Sequence, residues 1–269
     1  IATWLSSEEI SKAFQPNTEI QQKLGRPLFL ADAAHSLGGT FAGAPVGQQA
    51  DITGFSFHAV KNLTTAEGGA LTFALPSNFD SEEIIHWFRT MALHGQSKSA
   101  LEKTTSGQWT YDVVHAGYKC NMTDIQAALG RAQLKKYPDQ LRRRKEYAMA
   151  YHEAFGKNPW YIAPKFSDAK RESSYHLFTM RIAGFKRAQR DDLMAHLKEN
   201  GIASNVHFMP LPLLTLHQNR GENIADYPLS ATAFEGLISL PLHLDMDFDD
   251  IHYIHAICAA YIDKALDNG

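Results

Sequence analysis

Three short segments of the sequence bring together side chains that could do chemistry. They are Asp32-Ala33-Ala34-His35, Ser56-Phe57-His58-Ala59-Val60-Lys61-Asn62 and Glu67-Gly68-Gly69-Ala70. Asp32 follows a short apolar run, residues 27–31, that is typical of a strand buried on both faces. Lys61 follows the end of the next predicted strand, and open α/β sheets bind their ligands at such strand ends. The sequence therefore predicts a carboxylate and an amine at neighbouring strand ends.

Two interpretations fit a buried Asp32 and a buried Lys61. They can form a plain ion pair, because a buried charge is costly without a partner. They can also hold an aldehyde cofactor, because a lysine amine that burial keeps deprotonated forms a Schiff base readily. Pyridoxal phosphate needs such a lysine, and it needs a carboxylate beside its ring nitrogen. Ser56 could then bind a phosphate oxygen, and Gly68 and Gly69 would let the backbone pass close to the site.

The elements that must position these groups follow from the hydrophobic periodicity. Short strands are predicted at 27–31, 52–57, 69–73, 176–182 and 202–207. Helices are predicted within 7–24 and at 81–93, 124–137, 139–155, 190–199 and 247–264. Pro138 is expected to end the helix at 124–137, and residues 247–250 are expected to cap the last helix. Such an alternation indicates α/β or α+β layers.

Residues 95–116 are polar and show no period. We expect a long excursion loop here, and loops of this length are usually functional or disordered. We also expect this loop to influence the choice of substrate.

Composition excludes several classes of function. The 269 residues are 44% apolar and 20% charged, with a net charge of −3, so no global basic field would attract nucleic acid. No apolar run has the length of a membrane helix. Two cysteines, Cys120 and Cys258, are too few for a disulfide framework, which favours a reducing cytoplasm. The acidic run at 243–250 lacks the glycine and the glutamate of a calcium loop, and we expect no metal site.

The three segments, in this order and spacing, resemble the DegT/DnrJ/EryC1/StrS aminotransferases. The resemblance continues through most of the chain: Arg89 with His94-Gly95, Gly117 to Met122, Asp124 to Ala128, Ser174 to Phe178, Val206 to Pro210 and Ser239 to Leu242. It implies the aspartate aminotransferase fold, called fold type I of the pyridoxal-phosphate-dependent transferases. We expect the C-terminal part of the large cofactor-binding domain at 1–137. A linking helix and a small α+β domain are expected at 138–269.

The resemblance also implies roles for individual residues. Lys61 would form the Schiff base and move protons, Asp32 would bind the pyridine nitrogen, and Ser56 would bind the phosphate. His35 would lie near the ring, with a histidine satisfied by backbone bonds as the alternative. His58 is a weaker candidate for a direct contact. A sister group of sugar dehydratases has histidine at the position of Lys61, so the lysine favours transamination.

The partners implied are a nucleotide sugar, an amino-acid donor and a second subunit. Lys119 and Asn121 would contribute to the partner's cofactor phosphate, as residues of a shared active site in a homodimer. Many relatives have asparagine where this chain has Lys119, so either residue could make that contact. His207 is a candidate for the sugar nucleotide, against a simple strand-end histidine. No nucleic acid or membrane partner is expected.

The implied activity is transfer of an amino group, by family habit from glutamate, to a keto-sugar on a nucleoside diphosphate. Amination giving a 4-amino-4-deoxy sugar for glycan or lipopolysaccharide synthesis is the expected case. Two alternatives stay open: a non-catalytic regulator or binding module, and an aminotransferase acting on a cyclitol ketone. Only 31 residues precede Asp32, whereas relatives have a longer N-terminal part. We therefore expect a fragment that is inactive or poorly folded alone.

Overall fold

The computed structural model describes residues 1–98 and 110–267. The chain divides into two compact units. One comprises Ile1–Leu37 and Gly43–Lys135, and the other comprises Gly38–Ala42 and Lys136–Gly269. We refer to them as the first and the second unit.

The described residues form short strands and helices, which follow one another in groups and not in strict alternation. The strands are β1 (Leu30–Asp32), β2 (Thr40–Phe41), β3 (Ala44–Pro45), β4 (Ile52–Ser56), β5 (Gly69–Phe73), β6 (Tyr161–Ile162), β7 (Arg171–Glu172), β8 (Phe178–Ile182) and β9 (Leu237–Leu240). The α-helices are α1 (Ala2–Leu5), α2 (Glu8–Ala13), α3 (Glu19–Leu24), α4 (Ser81–Ala92), α5 (Asp124–Phe155), α6 (Arg187–Glu199), α7 (Thr215–Gln218), α8 (Pro228–Glu235) and α9 (Phe248–Asp267). Two 3₁₀ turns occur at Leu211–Leu213 and Ile224–Asp226.

The first unit is organised around a three-stranded sheet with the order β1-β4-β5. β1 runs parallel to β4, and β5 runs antiparallel to it. Asp51 is buried just before β4 and accepts two hydrogen bonds from the Arg26 guanidinium, at 2.7 and 2.8 Å, and one from the Phe29 amide at 2.8 Å. The bonds from Arg26 hold the pKa of Asp51 below its ordinary value. These bonds hold the residues before β1 against Asp51, the residue before β4.

The prediction that β1 is buried on both faces is wrong. Leu28 is 49% exposed and Leu30 is 63% exposed. Among the described residues β1 pairs with β4 alone, and Leu30 and Asp32, which share one face of the strand, are both exposed. The apolar run that predicted a doubly buried strand therefore contributes to an exposed apolar face.

The described ends of the predicted 95–116 loop are joined to each other. Gln96 and Val113 form an isolated antiparallel bridge, and the Val114 amide donates to the Gly95 carbonyl at 2.8 Å. The Ser97 amide donates to the Asp112 carbonyl at 2.9 Å. We call these paired ends the neck of the loop; residues 99–109 of the prediction lie outside the described residues.

Helix α5 corrects the prediction that Pro138 ends a helix. The helix continues for 32 residues, and Pro138 lies inside it. A proline removes one backbone donor and crowds the preceding turn, at a cost of about 3 kcal/mol. Burial of an aromatic face, including Tyr147, Tyr151 and Phe155, offsets that cost on the C-terminal side. The boundary between the two units falls inside this helix, after Lys135.

The second unit contains the main hydrophobic core. Its antiparallel sheet has the order β6-β8-β9, with alternate residues of the central strand β8 buried. Because side chains alternate across a strand, one face of the sheet meets the helices and the other does not. The fully buried members of this core include Tyr147, Tyr151, Phe155, Phe178, Met180, Leu193, Leu197, Ile238, Ile251 and Ile262.

The strand predicted at 202–207 does not form. Asn205 alone makes an isolated bridge, to Ser239 of β9. The Ile202 amide is used to close α6 by donating to the Leu197 carbonyl at 2.9 Å, and the Val206 amide donates to the side chain of Asn205. With its donors engaged locally, the segment cannot build a ladder.

The predicted cap of the last helix is confirmed. The Asp250 amide donates to Asp247 Oδ1 at 3.0 Å, and the Asp247 amide donates to Asp250 Oδ2 at 3.0 Å. This reciprocal pair satisfies two backbone donors at the start of α9.

Candidate active site

The parallel pairing of β1 and β4 brings Asp32 and Ser56 to one edge and one face of the sheet. Asp32 is the register partner of Gly54, and Ser56 lies two residues further along β4. Since side chains two residues apart share a face, Asp32 and Ser56 lie on the same side. Gly54, which lies between them, has no side chain and so adds no side-chain atoms to that face. The ends of β1 and β4, which were predicted to carry the site, therefore lie next to each other.

Asp32 is exposed, which differs from the expectation of a buried carboxylate. Its Oδ1 accepts one hydrogen bond, from the Ala34 amide at 2.9 Å. Among the described residues no ion pair joins Asp32 to Lys61, so the plain ion-pair interpretation is wrong for this structure. The carboxylate keeps an oxygen that can accept from a ligand.

Lys61 is half-buried in a turn that begins at His58, whose carbonyl accepts from the Lys61 amide at 2.9 Å. The turn belongs to a closed loop of residues 57–68. The Phe57 amide donates to the Gly68 carbonyl at 2.8 Å, and the Thr65 amide donates to the Phe57 carbonyl at 2.9 Å. These bonds hold the backbone of Lys61 in place. In the described part of the chain its amine makes no hydrogen bond or ion pair.

Thr65 is a supporting residue that the sequence analysis missed. Its side chain is buried and donates to the Glu67 carbonyl at 2.8 Å. The same carbonyl accepts from Gln126 Nε2 of α5 at 2.9 Å. The polar run after Lys61 was the available signal, but the distant partner Gln126 could not be inferred from it.

The glycines at 68 and 69 are required for packing within the first unit. A Cβ at Gly69 would lie 2.6 Å from the Phe55 carbonyl oxygen, and one at Gly68 would lie 2.9 Å from the Met122 side chain. Close contacts with neighbouring backbone and side chains therefore explain why glycine occurs at both positions. This reason is independent of the predicted approach of the backbone to a cofactor.

The two histidines near the site differ in their surroundings. His35 is half-buried in the turn after β1 and has partners within the protein. His58 is close to half exposed, and its Nε2 lies 3.5 Å from a carboxylate oxygen of Glu67. His58 is thus engaged on the surface of its own loop.

Lys119 and Asn121 lie together on an exposed segment of the first unit. The Lys119 ammonium donates to the Asn121 side-chain oxygen. Tyr118 and Cys120 anchor this segment to the end of α4, since their amides donate to the carbonyls of Met91 at 2.7 Å and Ala92 at 2.9 Å. Both candidate residues are therefore presented outward from a fixed backbone.

His207 belongs to the second unit. Its Nδ1 lies 2.9 Å from the hydroxyl of Ser239, which is buried in β9. Asn205 is bound to the backbone of Ser239 in both directions, at 2.7 and 3.0 Å. A rigid strand therefore orients the His207 ring.

The side chains at the strand ends match the chemistry that pyridoxal phosphate requires. An amine on a fixed turn, an acceptor-only carboxylate and a hydroxyl correspond to its aldehyde, its ring nitrogen and its phosphate. The Ser56 oxygen accepts from the His58 amide at 3.3 Å, and its proton can still be donated. The residues present fit the cofactor. No group of three metal-binding side chains occurs among residues 1–98 and 110–267.

The fold and these residues define a class, the fold type I aminotransferases, and the expected fold class is confirmed. The family model described as the DegT/DnrJ/EryC1/StrS aminotransferase family matches residues 14–258. The chain belongs to this family.

Individual relatives agree with this assignment. The chain is 39% identical over 226 residues to the spore coat polysaccharide biosynthesis protein SpsC of Bacillus subtilis, covering 82% of this chain and 56% of that protein. It is 31% identical over 247 residues to a UDP-4-amino-4,6-dideoxy-N-acetyl-beta-L-altrosamine transaminase of Campylobacter jejuni, covering 92% and 61%.

Solved structures show the same likeness. A protein of Streptococcus pneumoniae assigned as a sugar aminotransferase, in its PMP form, superposes with a TM-score of 0.90 at 41% identity, covering 96% of this chain and 64% of that one. The same protein is also known in a PLP form. The chain thus spans between 56 and 64% of the length of these relatives.

The helices in the described ranges do not meet the requirements of a membrane span. None of them has both the length and the apolar character that crossing a bilayer needs.

Proposed function

We propose that this chain is part of a pyridoxal-phosphate-dependent aminotransferase. It would move an amino group from L-glutamate to a keto-sugar on a nucleoside diphosphate, giving a 4-amino-4-deoxy sugar for glycan or lipopolysaccharide synthesis. The single observation that carries the proposal is the meeting of Asp32, Ser56 and the Lys61 loop at one sheet edge. Membership of an aminotransferase family supports it.

Each residue has a distinct task in this proposal. The cofactor, when bound, supplies an electron sink for the substrate carbon. Lys61 Nζ is the covalent attachment point for the cofactor and moves the proton at the substrate carbon. Asp32 keeps the ring nitrogen protonated, and Ser56 donates to the phosphate. His35 borders the ring, and His58 assists from the neighbouring loop.

We further propose that the protein is a cytoplasmic homodimer with a shared active site. Lys119 and Asn121 are exposed on an anchored segment, which supports a contact to the cofactor phosphate of a second subunit. His207 would meet the sugar nucleotide, and its fixed ring supports that role. Cys120 and Cys258 are free thiols, in keeping with a reducing compartment.

The substrate class is supported by what the relatives act on. The Bacillus protein is named for polysaccharide biosynthesis, and the Campylobacter protein is named as a transaminase of a UDP-linked amino sugar. A nucleotide-linked sugar is therefore the acceptor to test first, with a cyclitol ketone as the comparison.

The test is an absorbance spectrum of the full-length protein with pyridoxal phosphate, before and after glutamate. We expect a visible band from the bound cofactor that bleaches when glutamate is added. Lys61→Ala should lack this band, because the amine that binds the aldehyde is gone.

The matched control is Lys12→Ala, which removes an exposed lysine of α2 that pairs with Glu8. It should behave as the wild type. A wild-type protein without the band, or a Lys61→Ala protein that keeps it, would refute the assignment of Lys61 and favour a non-catalytic binding module. Bleaching followed by recovery with a cyclitol ketone, and not with a nucleotide sugar, would correct the substrate class.

A further inference from the structure

A cavity of about 340 Å³ lies on the side of the second unit's sheet that faces away from the helices. Thr179 and Arg181 of β8 line it, whereas Phe178, Met180 and Ile182 of the same strand point into the hydrophobic core. This alternation follows from the pleat of the strand. The residues that line this cavity belong to the second unit, whereas Asp32, Ser56 and Lys61 belong to the first.

Arg181 is the main chemical feature of this cavity. Its backbone is fixed on both sides, because it is the register partner of Ile162 in β6 and of Leu237 in β9. The side chain is half-buried, and among the described residues no carboxylate lies within ion-pair distance of it. A half-buried guanidinium without a counter-charge is costly unless a ligand supplies one.

The two buried arginines of this unit direct donors to groups of the protein, although Arg144 Nε has no hydrogen-bond partner among the described residues. Arg144 donates to the carbonyls of Tyr175, His176 and Leu242, at 3.0 to 3.4 Å. Arg190 donates to two carbonyls and lies 2.6 Å from Asp191. Arg181 differs from both, because its donors are presented to a cavity.

The remaining lining suits an anion. Lys165 adds a second cation, and Ser173 and Thr179 add hydroxyl groups. Lys165 lies 3.1 Å from Asp168, but that carboxylate also accepts from Arg171 at 2.8 Å and so serves two cations. No acidic residue of the described chain lines the cavity.

We infer that this cavity is an oxyanion-binding site in which Arg181 receives a phosphate or carboxylate group of a small organic ligand. Guanidinium donors match such groups bidentately, and the hydroxyls offer further donors. Apolar side chains, including Ile162, Phe166 and Leu237, form the rest of the wall and can cover the body of the ligand. The site goes beyond the proposed amino transfer and does not depend on it.

The test compares two probes on the full-length protein with its cofactor bound. Inorganic pyrophosphate represents the phosphate source, and glutarate, which has no amino group to react with the cofactor, represents the carboxylate source. Isothermal titration calorimetry would measure both dissociation constants for the wild type and for Arg181→Gln. We expect the variant to weaken binding of one probe roughly tenfold or more, because a charge-assisted pair is lost. The probe that is affected identifies the source of the anion.

Arg220→Gln is the matched control, since Arg220 is an exposed arginine of the same unit. It removes the same charge and should leave both constants within about twofold of the wild type. If Arg181→Gln does not fold, Arg181→Lys keeps the charge, loses the bidentate fork and should show a smaller loss. The inference is overturned by any of three results: Arg181 variants that bind both probes as the wild type does, equal losses in Arg220→Gln, or a wild type that binds neither probe. The proposed reaction is tested separately, through Lys61.

Discussion

At the scale of single residues, the candidate site depends on groups that are held by their backbone and still available to a ligand. Asp32 accepts one local bond from Ala34, and the Lys61 amine has no bond in the described part of the chain. Preorganised groups of this kind lose little freedom when a ligand binds. The two side chains therefore act as prepared contacts rather than as structural bonds.

Asp32→Asn should separate cofactor binding from turnover. An amide has nearly the same shape, but it cannot stabilise a protonated ring nitrogen as a carboxylate does. We expect the full-length variant to retain the visible band of the bound cofactor. Its rate of bleaching by glutamate should fall about 100-fold or more, on the order of the loss of a positioned acid–base partner.

Stopped-flow absorbance would measure this rate. The matched control is Asp80→Asn, which changes the N-cap of α4 and lies outside the strand ends. Equal rates in the wild type and Asp32→Asn would exclude a role for this carboxylate in the chemistry.

The site residues could be proposed from the sequence because they occur in short segments. Asp32 and Lys61 each follow a predicted strand, and the resemblance to the family supplied their roles. These roles stay predictions until the variants are measured. Burial could not be predicted in the same way, because the exposure of Asp32 depends on which elements cover the sheet face. The free Arg181 also gave no local signal, since its neighbours in space come from β6 and β9.

At the scale of elements, the neck of the loop depends on close backbone approach. Gly95 has a φ of 69°, and a Cβ there would lie 1.8 Å from the His115 carbonyl oxygen. Gly25 has almost the same φ, 70°, with nothing within 4 Å of its Cβ position. The two glycines therefore share the conformational requirement and differ only in crowding.

Gly95→Ala should lower the free energy of unfolding more than Gly25→Ala does. Both substitutions place a side chain in the left-handed region, at about 1–2 kcal/mol. Only Gly95→Ala also forces the neck apart. Urea denaturation of the two variants would measure the difference, and equal losses would show that the neck is not constrained as described.

The elements were predictable where a local pattern decides them. β5 has the predicted bounds, and β4 and α4 differ from prediction by one residue at their ends. Pro138 was misleading because a local penalty was outweighed by aromatic burial further along α5. The segment 202–207 was misleading because its donors are used by α6 and by Asn205, which periodicity does not reveal.

At the scale of the whole molecule, the two units differ in how they are stabilised. The main core lies entirely in the second unit. Both units expose some large apolar side chains, such as Leu30 and Ile125 in the first and Leu229 in the second. The first unit also contains a buried ion pair, between Arg26 and Asp51, whose contribution to stability can be measured.

This pair should make the stability of the chain depend on pH in a defined direction. The folded pKa of Asp51 is depressed, so its contribution is present above the unfolded pKa, about 3.9, and is lost as the pH falls through the folded value. Asp51→Asn should cost about 3–5 kcal/mol at neutral pH, as expected when a buried pair is broken. The gap between wild type and variant should shrink below about pH 4.

Urea denaturation at several pH values would measure this gap. Asp139→Asn, which changes an exposed carboxylate, is the control and should show little pH dependence relative to the wild type. A gap that stays constant or widens in acid would contradict the role given to Asp51.

The closed neck also has a consequence for how such proteins diversify. Because the paired backbones of 95–97 and 112–114 already bring the two ends together, the sequence between them can change in length without separating these ends. The entropic penalty of a longer insertion grows only slowly with its length. The sequence between the two ends of the neck is therefore suited to exchange between relatives. Replacing it with the corresponding sequence of a relative should leave the loop that holds Lys61 unchanged.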